Sequence, residues 1–294
     1  MFKPSQKIDF IGIGDQKSAS TWIFNCLRDH PKICCSEKKE TRFFDHDHLY
    51  EQGPKRYREF FSHCGEDKKI GEYSPSYIHS EKALQRIKEH YPDVKLIISF
   101  RDPVEKMFSE YRFNKVSGTG AMMQYDSFLQ AVQDRASLIQ RAKHGDNLER
   151  VFKHFSKDQV FVGIYDDIKN NPKKFMQEVY SFLEVNNDFV SDSISQKHKV
   201  TGAKRFKSKA ITNLIVKFSE FVKKNQILKD TLERVGGRKI QSKILQLNKV
   251  SEDKHGKAHT EELKKETESI VRTKFLNDIE KLEELIDRDL SNWK

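Results

Sequence analysis

Short apolar runs alternate with stretches of helical periodicity over the first two thirds of the chain. After the first run, Trp22, Ile23, Cys26 and Leu27 recur at helical spacing from Ser18 onwards. The runs that predict buried strands are Ile8–Gly14, Lys69–Tyr73, Lys95–Phe100 and Val160–Tyr165. The helices predicted behind the last three lie at residues 81–90, 104–114 and 172–183. Because strands alternate with helices, we expect an α/β fold whose central parallel sheet is flanked by helices.

The remaining segments have helical patterns without strands. Residues 116–156, in approximate bounds, form a predicted helical insertion, and the chain beyond Val200 is predicted to be helical up to an amphipathic end at Glu261–Leu290. No internal repeat and no Pro/Gly-rich linker interrupts the sequence. We therefore expect one domain over residues 1–294, with a helical insertion and a helical C-terminus.

The charge of the chain is concentrated in one region. The formal net charge is +10, and residues 201–250 alone carry +10, whereas residues 1–200 and 251–294 carry +3 and −3. A polyanion, a nucleotide phosphate, a membrane surface or a solvated helix face would each account for such a basic region. Composition by itself leaves these partners open.

The cysteines and the N-terminal sequence indicate the cellular compartment of the protein. The four cysteines include no C-x-x-C pair, and the adjacent Cys34 and Cys35 lie at the predicted end of a short strand, so we expect buried thiols in a reduced environment. The first apolar run, about seven residues long, is too short for a signal peptide or a membrane span. The sequence therefore predicts a cytoplasmic protein that no membrane segment anchors.

Alternating acidic and histidine residues at positions 45–48 invite a metal hypothesis, because both residue types are metal ligands. They lie in a polar loop, where such side chains are more often solvated. We expect no metal site.

The turn after the first strand has the composition of a phosphate site. It offers the cation of Lys17, small residues that permit close backbone approach, and hydroxyls at positions 18, 20 and 21. In an open parallel sheet, ligands bind beyond the carboxyl ends of the strands, where a helix N-terminus favours an anion. A Walker A loop requires glycines where this chain has Ile11 and Gln16. The turn is therefore either a P-loop-like variant or an ordinary capped helix start.

Several segments taken together resemble the PAPS-dependent sulfotransferases, most of all their heparan-sulfate-type and bacterial branch. PAPS is 3′-phosphoadenosine 5′-phosphosulfate, the sulfuryl donor of that family. The resemblance runs from about Ile8 to Trp293 and preserves the order of the family's motifs. The matching segments are Gln16–Trp22, Lys39–Phe44, Gly71–Tyr77, Phe100–Tyr111, Tyr165–Ile168, Lys197–Arg205 and Asp278–Trp293.

The resemblance implies that the first turn holds the 5′-phosphosulfate of the donor. Lys17 would also touch the bridging oxygen, which gains negative charge as the S–O bond breaks, so that a fixed cation there stabilises the transition state. The helical spacing of Trp22 with Ile23 and Cys26 favours a place in the core as well. The other residues implied in donor binding by this turn are Ser18, Ala19, Ser20, Thr21 and Trp22.

Two further segments would bind the rest of the nucleotide. The resemblance implies that Arg101 and Ser109 grip the 3′-phosphate, the arginine by a forked contact. Arg-Asp-Pro is also a typical helix start, with Asp102 as the cap, and both roles are compatible. The loop that closes over the adenine in this branch is matched by Thr201, Gly202, Lys204 and Arg205.

A glutamate in a K-E-x-x-F-F segment is the general base in heparan-sulfate-type relatives, and the matching residue is Glu40. We expect the aromatic pair Phe43 and Phe44 to desolvate its carboxylate partly, which would raise its proton affinity. Glu37 and Glu72 are the competing carboxylates.

The acceptor is the least determined part of the prediction. Candidate contacts are Phe43, Phe44, Glu72 and Tyr73. Many heparan-sulfate-type relatives have a lysine where this chain has Tyr73, and a phenol supplies no positive charge. The sequence therefore favours a small or weakly acidic acceptor, such as a natural product, over a polysulfated glycan.

The resulting hypothesis is an in-line transfer of a sulfuryl group from PAPS to a hydroxyl or amine, which leaves the bisphosphate PAP and needs neither a covalent enzyme intermediate nor nucleic acid. O- or N-sulfation of a glycan is the alternative within the same chemistry. A P-loop kinase is disfavoured by the missing Walker glycines and by the lack of an obvious magnesium-binding aspartate at a strand end. A non-enzymatic polyanion binder would use residues 201–250, but it leaves the order of the other motifs unexplained.

Overall fold

A five-stranded parallel sheet forms the centre of the computed structural model, which describes residues 7–65, 67–117, 121–195, 205–206, 249–250 and 265–294. Its strands lie in the order β2-β3-β1-β4-β5. The predicted α/β class is confirmed, and so are the four predicted strands. The strand bounds are β1 (Phe10–Gly14), β2 (Ile33–Cys35), β3 (Lys69–Tyr73), β4 (Lys95–Phe100) and β5 (Val160–Ile164).

Helices follow the strands as the periodicity predicted. Ser80 caps α4 by accepting a hydrogen bond from the backbone N–H of Ala83, and Asn171 caps α10 in the same way. The predicted insertion is helical and contains α6, α7 and α8. The helix bounds in the described chain are α1 (Ser20–Asp29), α2 (Asp47–Tyr50), α3 (Gly53–Glu59), α4 (Glu81–His90), α5 (Pro103–Ser117), α6 (Phe128–Asp134), α7 (Ala136–Ala142), α8 (His144–Phe152), α9 (Tyr165–Asn170), α10 (Pro172–Phe182), α11 (Lys265–Arg272) and α12 (Leu276–Ile286).

The described residues divide into two compact units. The first draws on the described residues within Met1–Met107, Ala136–His198 and Lys265–Lys294, and the second on those within Phe108–Arg135 and Lys199–Lys264. In the second unit, β6 (Arg205–Phe206) pairs antiparallel with β7 (Lys249–Val250), so the helical prediction is wrong for these four residues. The remainder of the basic region 201–250 lies outside the described residues.

Close packing between β1 and β3 explains a glycine in the first strand. A Cβ atom at Gly12 would lie 2.2 Å from the ring of Tyr73, so no other residue fits there without displacing the ring. Tyr73 is completely buried and belongs to the core cluster, together with Phe10 and Ile97. The contact fixes the carboxyl end of β3 against β1.

The C-terminal helix is anchored to the sheet through α8. The buried carboxylate of Asp278 in α12 accepts hydrogen bonds from the backbone N–H groups of Gly145 and Asp146, at 3.1 and 2.9 Å. It thereby caps the N-terminus of α8 from a distant part of the chain. Trp293 is also buried, and its indole N–H donates to Asp166 Oδ2 at 3.1 Å.

The cysteines differ from the sequence-based expectation. Cys34 and Cys64 form a disulfide, so the prediction of free thiols is wrong for this pair. Cys26 and Cys35 are free and buried, as expected, and burial raises the pKa of each thiol to about 12. Cys34 and Cys64 are 30 residues apart in the sequence, and that spacing gave no signal for pairing. A disulfide is typical of oxidising compartments, which removes the main support for a cytoplasmic location.

Loss of this disulfide is expected to lower the free energy of unfolding by about 3–4 kcal/mol, because it closes a loop of this length in the unfolded chain. Denaturant unfolding of the wild type with and without reductant measures the effect. The Cys34→Ala/Cys64→Ala variant is the control, since its midpoint is insensitive to reductant. Equal midpoints for the oxidised and reduced wild type would contradict the prediction.

Candidate active site

The turn after β1 and the end of β4 meet where the strand order reverses. The chain runs from β1 to β2 and β3 on one side and then crosses to β4 on the other, which makes this edge a topological switch point. Two hydrogen bonds join the segments: Asp15 N–H donates to Ser99 O at 3.0 Å, and Ser99 Oγ donates to Ser18 O at 2.5 Å. The predicted phosphate turn therefore lies at the usual ligand-binding edge of such a sheet.

The backbone of this turn is held in an uncommon conformation. Lys17 and Ala19 each have a φ of 67°, in the left-handed region that non-glycine residues seldom adopt. Such residues cost about 1–3 kcal/mol each and concentrate at functional sites. The conformation is maintained by the strand-end hydrogen bonds around it.

The groups that this turn offers suit an anion. Ala19, at the start of α1, makes no side-chain capping hydrogen bond, and the first turn of the helix has no acidic residue. The Ser18 hydroxyl is buried and has no hydrogen-bond partner among the described residues. An uncapped helix N-terminus beside a buried hydroxyl and the half-buried Lys17 is the arrangement that binds phosphate groups.

Trp22 does not line this turn. It is 4% exposed, its indole N–H donates to Ser193 O at 3.1 Å, and its ring packs against Phe175. The structure thus places it in the core, at odds with a contact to the donor. The reason is its helical spacing with Cys26, one turn later, which places both side chains in the same buried cluster.

The segment that carries Glu40 is the second strained loop. Glu40 and Arg42 have φ values of 62° and 55°. The N–H of Glu40 donates to the carbonyl of Tyr73 at 3.1 Å, and the phenol of Tyr73 donates to Gly14 O at 2.7 Å. Tyr73 therefore links the Glu40 segment, through its backbone carbonyl, to the phosphate turn, through its phenol.

The surroundings of Glu40 differ from the prediction. Its side chain is 44% exposed, and Lys39 Nζ lies 2.9 Å from Glu40 Oε1. Phe43 and Phe44 point into an aromatic core with Tyr57 instead of covering the carboxylate. The expectation that the aromatic pair desolvates Glu40 is therefore wrong.

The four residues expected at the acceptor are all buried, at 0–3% exposure. Phe43 and Phe44 pack in the core, Glu72 is enclosed by hydroxyl groups, and Tyr73 lies beneath the phosphate turn. Phe43 and Phe44 also line a cavity, together with Tyr50 and Tyr57, so an acceptor contact by this pair stays a prediction, whereas Glu72 and Tyr73 are enclosed by other groups. A lysine is nevertheless present near position 73, since Lys39 Nζ lies 5.9 Å from the centroid of the Tyr73 ring.

Arg101 stands directly after β4, at the same edge. Its guanidinium lies over the ring of Tyr165, 4.7 Å from the centroid, and bonds to Glu105 at 2.9 Å. Asp102 accepts hydrogen bonds from the N–H groups of Val104 and Glu105, so the predicted capping role is confirmed. A phosphate at Arg101 would have to compete with Glu105 for the guanidinium.

The other predicted donor contacts are not tested by this geometry. Ser109 lies on α5 within the second unit, and its pairing with Arg101 stays a prediction. Thr201, Gly202 and Lys204 lie outside the described residues. Arg205 is described only as a backbone position in β6.

Comparison with known proteins supports one family. A family model described as the sulfotransferase family matches residues 45–188. A membrane-associated sulfotransferase of Dictyostelium discoideum is 35% identical over 109 residues, which are 36% of this chain and 23% of that protein. The human heparan sulfate glucosamine 3-O-sulfotransferase 5 is 26% identical over 181 residues, which cover 59% of this chain and 52% of that protein. Over residues 45–188 the chain is therefore similar to the sulfotransferase family.

A solved structure agrees at the level of the fold. A sulfotransferase from Alicyclobacillus acidocaldarius superposes with a TM-score of 0.68 over 98% of this chain and 99% of that one, at 19% identity. The curated relatives are longer, and the matched part of this chain spans about half of their length or less. Among the described residues, no helix combines the length and apolarity that crossing a membrane requires.

A buried polar cluster beneath the phosphate turn was not foreseen from the sequence. Asp15 is completely buried, and its carboxylate lies 3.3 Å from Lys106 Nζ, 3.2 Å from His79 Nε2 and 3.5 Å from His144 Nδ1. His144 Nε2 donates to the carbonyl of Arg101 at 2.7 Å. These residues are distant in sequence, and no motif joins them.

Burial and mutual charge interactions shift the pKa values of Asp15 and His144 in this cluster. Burial would raise the pKa of Asp15, but the charge of Lys106 and the contacts with His79 and His144 lower it to about 2. For His144, burial outweighs the nearby carboxylate and lowers the pKa to about 4. At neutral pH the cluster thus contains an ionised Asp15, its partner Lys106 and a neutral His144.

Acidification is expected to destabilise the protein through His144. The unfolded chain binds the proton near pH 6.5, whereas the folded chain resists it until about pH 4, so stability is complete above pH 6.5 and falls towards pH 4. The loss amounts to about 3 kcal/mol. Denaturant unfolding between pH 7 and 4 measures it, with His144→Gln as the control that does not titrate. Parallel pH curves for both proteins would refute the prediction.

Proposed function

We propose that this chain transfers a sulfuryl group from PAPS to a hydroxyl or amine of an acceptor. The observation that carries the proposal is the strained turn at Lys17, with its uncapped helix start and buried serine hydroxyl, joined through Tyr73 to the Glu40 segment. An anion cradle and a half-exposed carboxylate at one sheet edge are the two parts that such a transfer requires. Similarity to the sulfotransferase family supports the same reaction.

In the proposed mechanism, the 5′-phosphosulfate of the donor binds the backbone N–H groups at the start of α1 and the hydroxyl of Ser18. Glu40 accepts the proton of the acceptor as its oxygen or nitrogen attacks sulfur in line. The S–O bond to the phosphate breaks at the same time, and Lys17 stabilises the negative charge that develops on the leaving oxygen. The products are the sulfated acceptor and PAP.

A calorimetric titration tests the donor. PAP should bind tightly without magnesium, whereas a preference for ATP with magnesium would indicate a kinase. Binding of long polyanions alone would indicate the non-enzymatic alternative, with a strong dependence on salt. Mass spectrometry of acceptors incubated with PAPS then tests transfer itself.

Two observations favour a glycan as the second candidate acceptor. The sequence argument for a small acceptor was the phenol at position 73, but that phenol is buried and the nearby Lys39 supplies a cation. Matched relatives are named for heparan sulfate. A panel of small alcohols, amines and heparan precursors at saturating PAPS decides between the two classes by their kcat/KM.

The Arg101→Ala variant is expected to bind PAP more weakly, by about 10-fold or more, because a charge-assisted bond to the 3′-phosphate is lost. Adenosine 5′-phosphate, which lacks the 3′-phosphate, should bind both proteins equally. Titration calorimetry measures both affinities. Unchanged PAP affinity in the variant would place the 3′-phosphate elsewhere.

A further inference from the structure

Glu72 is a buried carboxylate for which the proposed reaction has no use. It is completely buried, and no basic side chain forms an ion pair with it in the described part of the chain. Four hydroxyl groups donate to it instead, and burial raises the pKa of the carboxyl in spite of them. The donors are Thr41 at 2.6 Å and Ser74 at 2.7 Å on Oε2, and Tyr57 at 2.9 Å and Tyr77 at 3.1 Å on Oε1.

Three of these hydroxyls connect the carboxylate to the backbone of the Glu40 segment. Thr41 and Ser74 direct their hydrogens to Glu72, and Tyr77 donates to it at 3.1 Å, the same distance that separates the Tyr77 hydroxyl from Thr41 Oγ1. Each oxygen keeps a lone pair that accepts a backbone N–H. The N–H donors are Phe43 to Thr41 Oγ1 at 3.4 Å, Arg42 to Ser74 Oγ at 3.2 Å and Phe44 to Tyr77 OH at 3.4 Å. The Glu72 carboxylate therefore orients the hydroxyl groups that accept hydrogen bonds from the backbone N–H groups of residues 42–44.

These three residues follow Glu40 immediately, in a segment where Glu40 and Arg42 have positive φ. A strained backbone persists only where its surroundings hold it. If the acceptor for the hydroxyls were lost, they could turn their hydrogens elsewhere, and the N–H groups would lose their partners.

We propose that Glu72 is a positioning residue, which holds the Glu40 segment in its strained conformation through the hydroxyls of Thr41, Ser74 and Tyr77. The inference rests on the proposed function only for its effect on turnover. The effect on the backbone is independent of which reaction the protein catalyses.

The Thr41 pair of variants tests the proposal without a change at the carboxylate. Thr41→Val removes the hydroxyl at nearly constant volume, and Thr41→Ser keeps it. In Thr41→Val, we expect amide hydrogen exchange at Arg42 and Phe43 to accelerate by about 10-fold or more. Thr41→Ser should exchange like the wild type. Thr273→Val, the same chemical change at an exposed site directly after α11, is the matched control.

Glu72→Gln is the second variant. An amide nitrogen requires an acceptor, so two of the four hydroxyls would have to reverse their hydrogen-bond direction. Exchange should then accelerate at Arg42 or Phe44, depending on which side of the amide faces Ser74 and which faces Tyr77. Wild-type exchange over residues 40–44 in folded Thr41→Val overturns the proposal, whether or not Glu72→Gln folds.

Turnover measurements test whether the positioning role of Glu72 affects catalysis, and they keep that question apart from whether the protein transfers sulfuryl groups. With PAPS and an active acceptor, Thr41→Val should lower kcat by about 10- to 100-fold while PAP affinity stays the same, and Thr41→Ser should restore kcat. Faster exchange together with unchanged kcat would refute the link to Glu40. If the wild type transferred no sulfuryl group, the exchange result would still decide whether Glu72 positions the segment, and only the proposed function would fail.

Discussion

Replacement of Lys17 by alanine should lower kcat by about 10²–10³-fold, the loss expected when one fixed group that stabilises developing charge is removed. The turn conformation explains why no other lysine substitutes for it. Lys17 has a φ of 67° and lies between β1 and the uncapped start of α1, so its position is set by the backbone. Initial rates at saturating PAPS, with sulfated product quantified by mass spectrometry, measure the loss.

The control for this prediction is Lys55→Ala, which removes an exposed lysine of α3. Its kcat should equal that of the wild type. PAP affinity of Lys17→Ala should fall less than kcat, because the leaving oxygen carries more charge in the transition state than in the bound donor. If Lys17→Ala lowered PAP affinity and kcat/KM by the same factor and left kcat unchanged, Lys17 would bind the donor without stabilising the transition state.

Replacement of Glu40 by glutamine should lower kcat by about 10²–10⁴-fold and leave PAP affinity unchanged, because glutamine preserves the shape of the side chain but accepts no proton. The half-exposed position of Glu40 is consistent with this role, since an acceptor must reach the carboxylate. Fixed-time product assays at saturating PAPS measure kcat, and calorimetric titration measures PAP affinity.

Glu37→Gln is the matched control, because Glu37 is an exposed carboxylate in the same loop. Its turnover should be that of the wild type. Normal turnover in Glu40→Gln would remove Glu40 as the base. The buried Glu72 would not replace it, since that carboxylate is enclosed by four hydroxyls and no acceptor reaches it.

Lys39 gives the Glu40 site a positive charge that position 73 of the motif did not indicate. Its ammonium lies 2.9 Å from Glu40 and near the ring of Tyr73. The sequence comparison at position 73 indicated a missing cation, whereas the structure supplies one from a neighbouring segment. The charge at a site therefore depends on which segments meet there and cannot be counted along one motif.

The sequence by itself determined the sheet, most of its helices and the segments that carry the candidate chemistry. Short apolar runs and a helical period of 3.6 residues are local patterns, so β1, β4 and α4 could be predicted from neighbouring residues. The order of short motifs was sufficient to indicate the sulfotransferase family.

The tertiary structure decided everything that depends on contacts between distant segments. The disulfide of Cys34 with Cys64, the ion pair of Asp15 with Lys106, and the hydroxyls around Glu72 join residues that no local pattern relates. It also decided burial, and burial moved Tyr73 from a predicted acceptor contact to the support of the phosphate turn. The physical reason is that solvent exclusion and charge pairing are properties of three-dimensional packing, whereas strand and helix propensity act between neighbours in sequence.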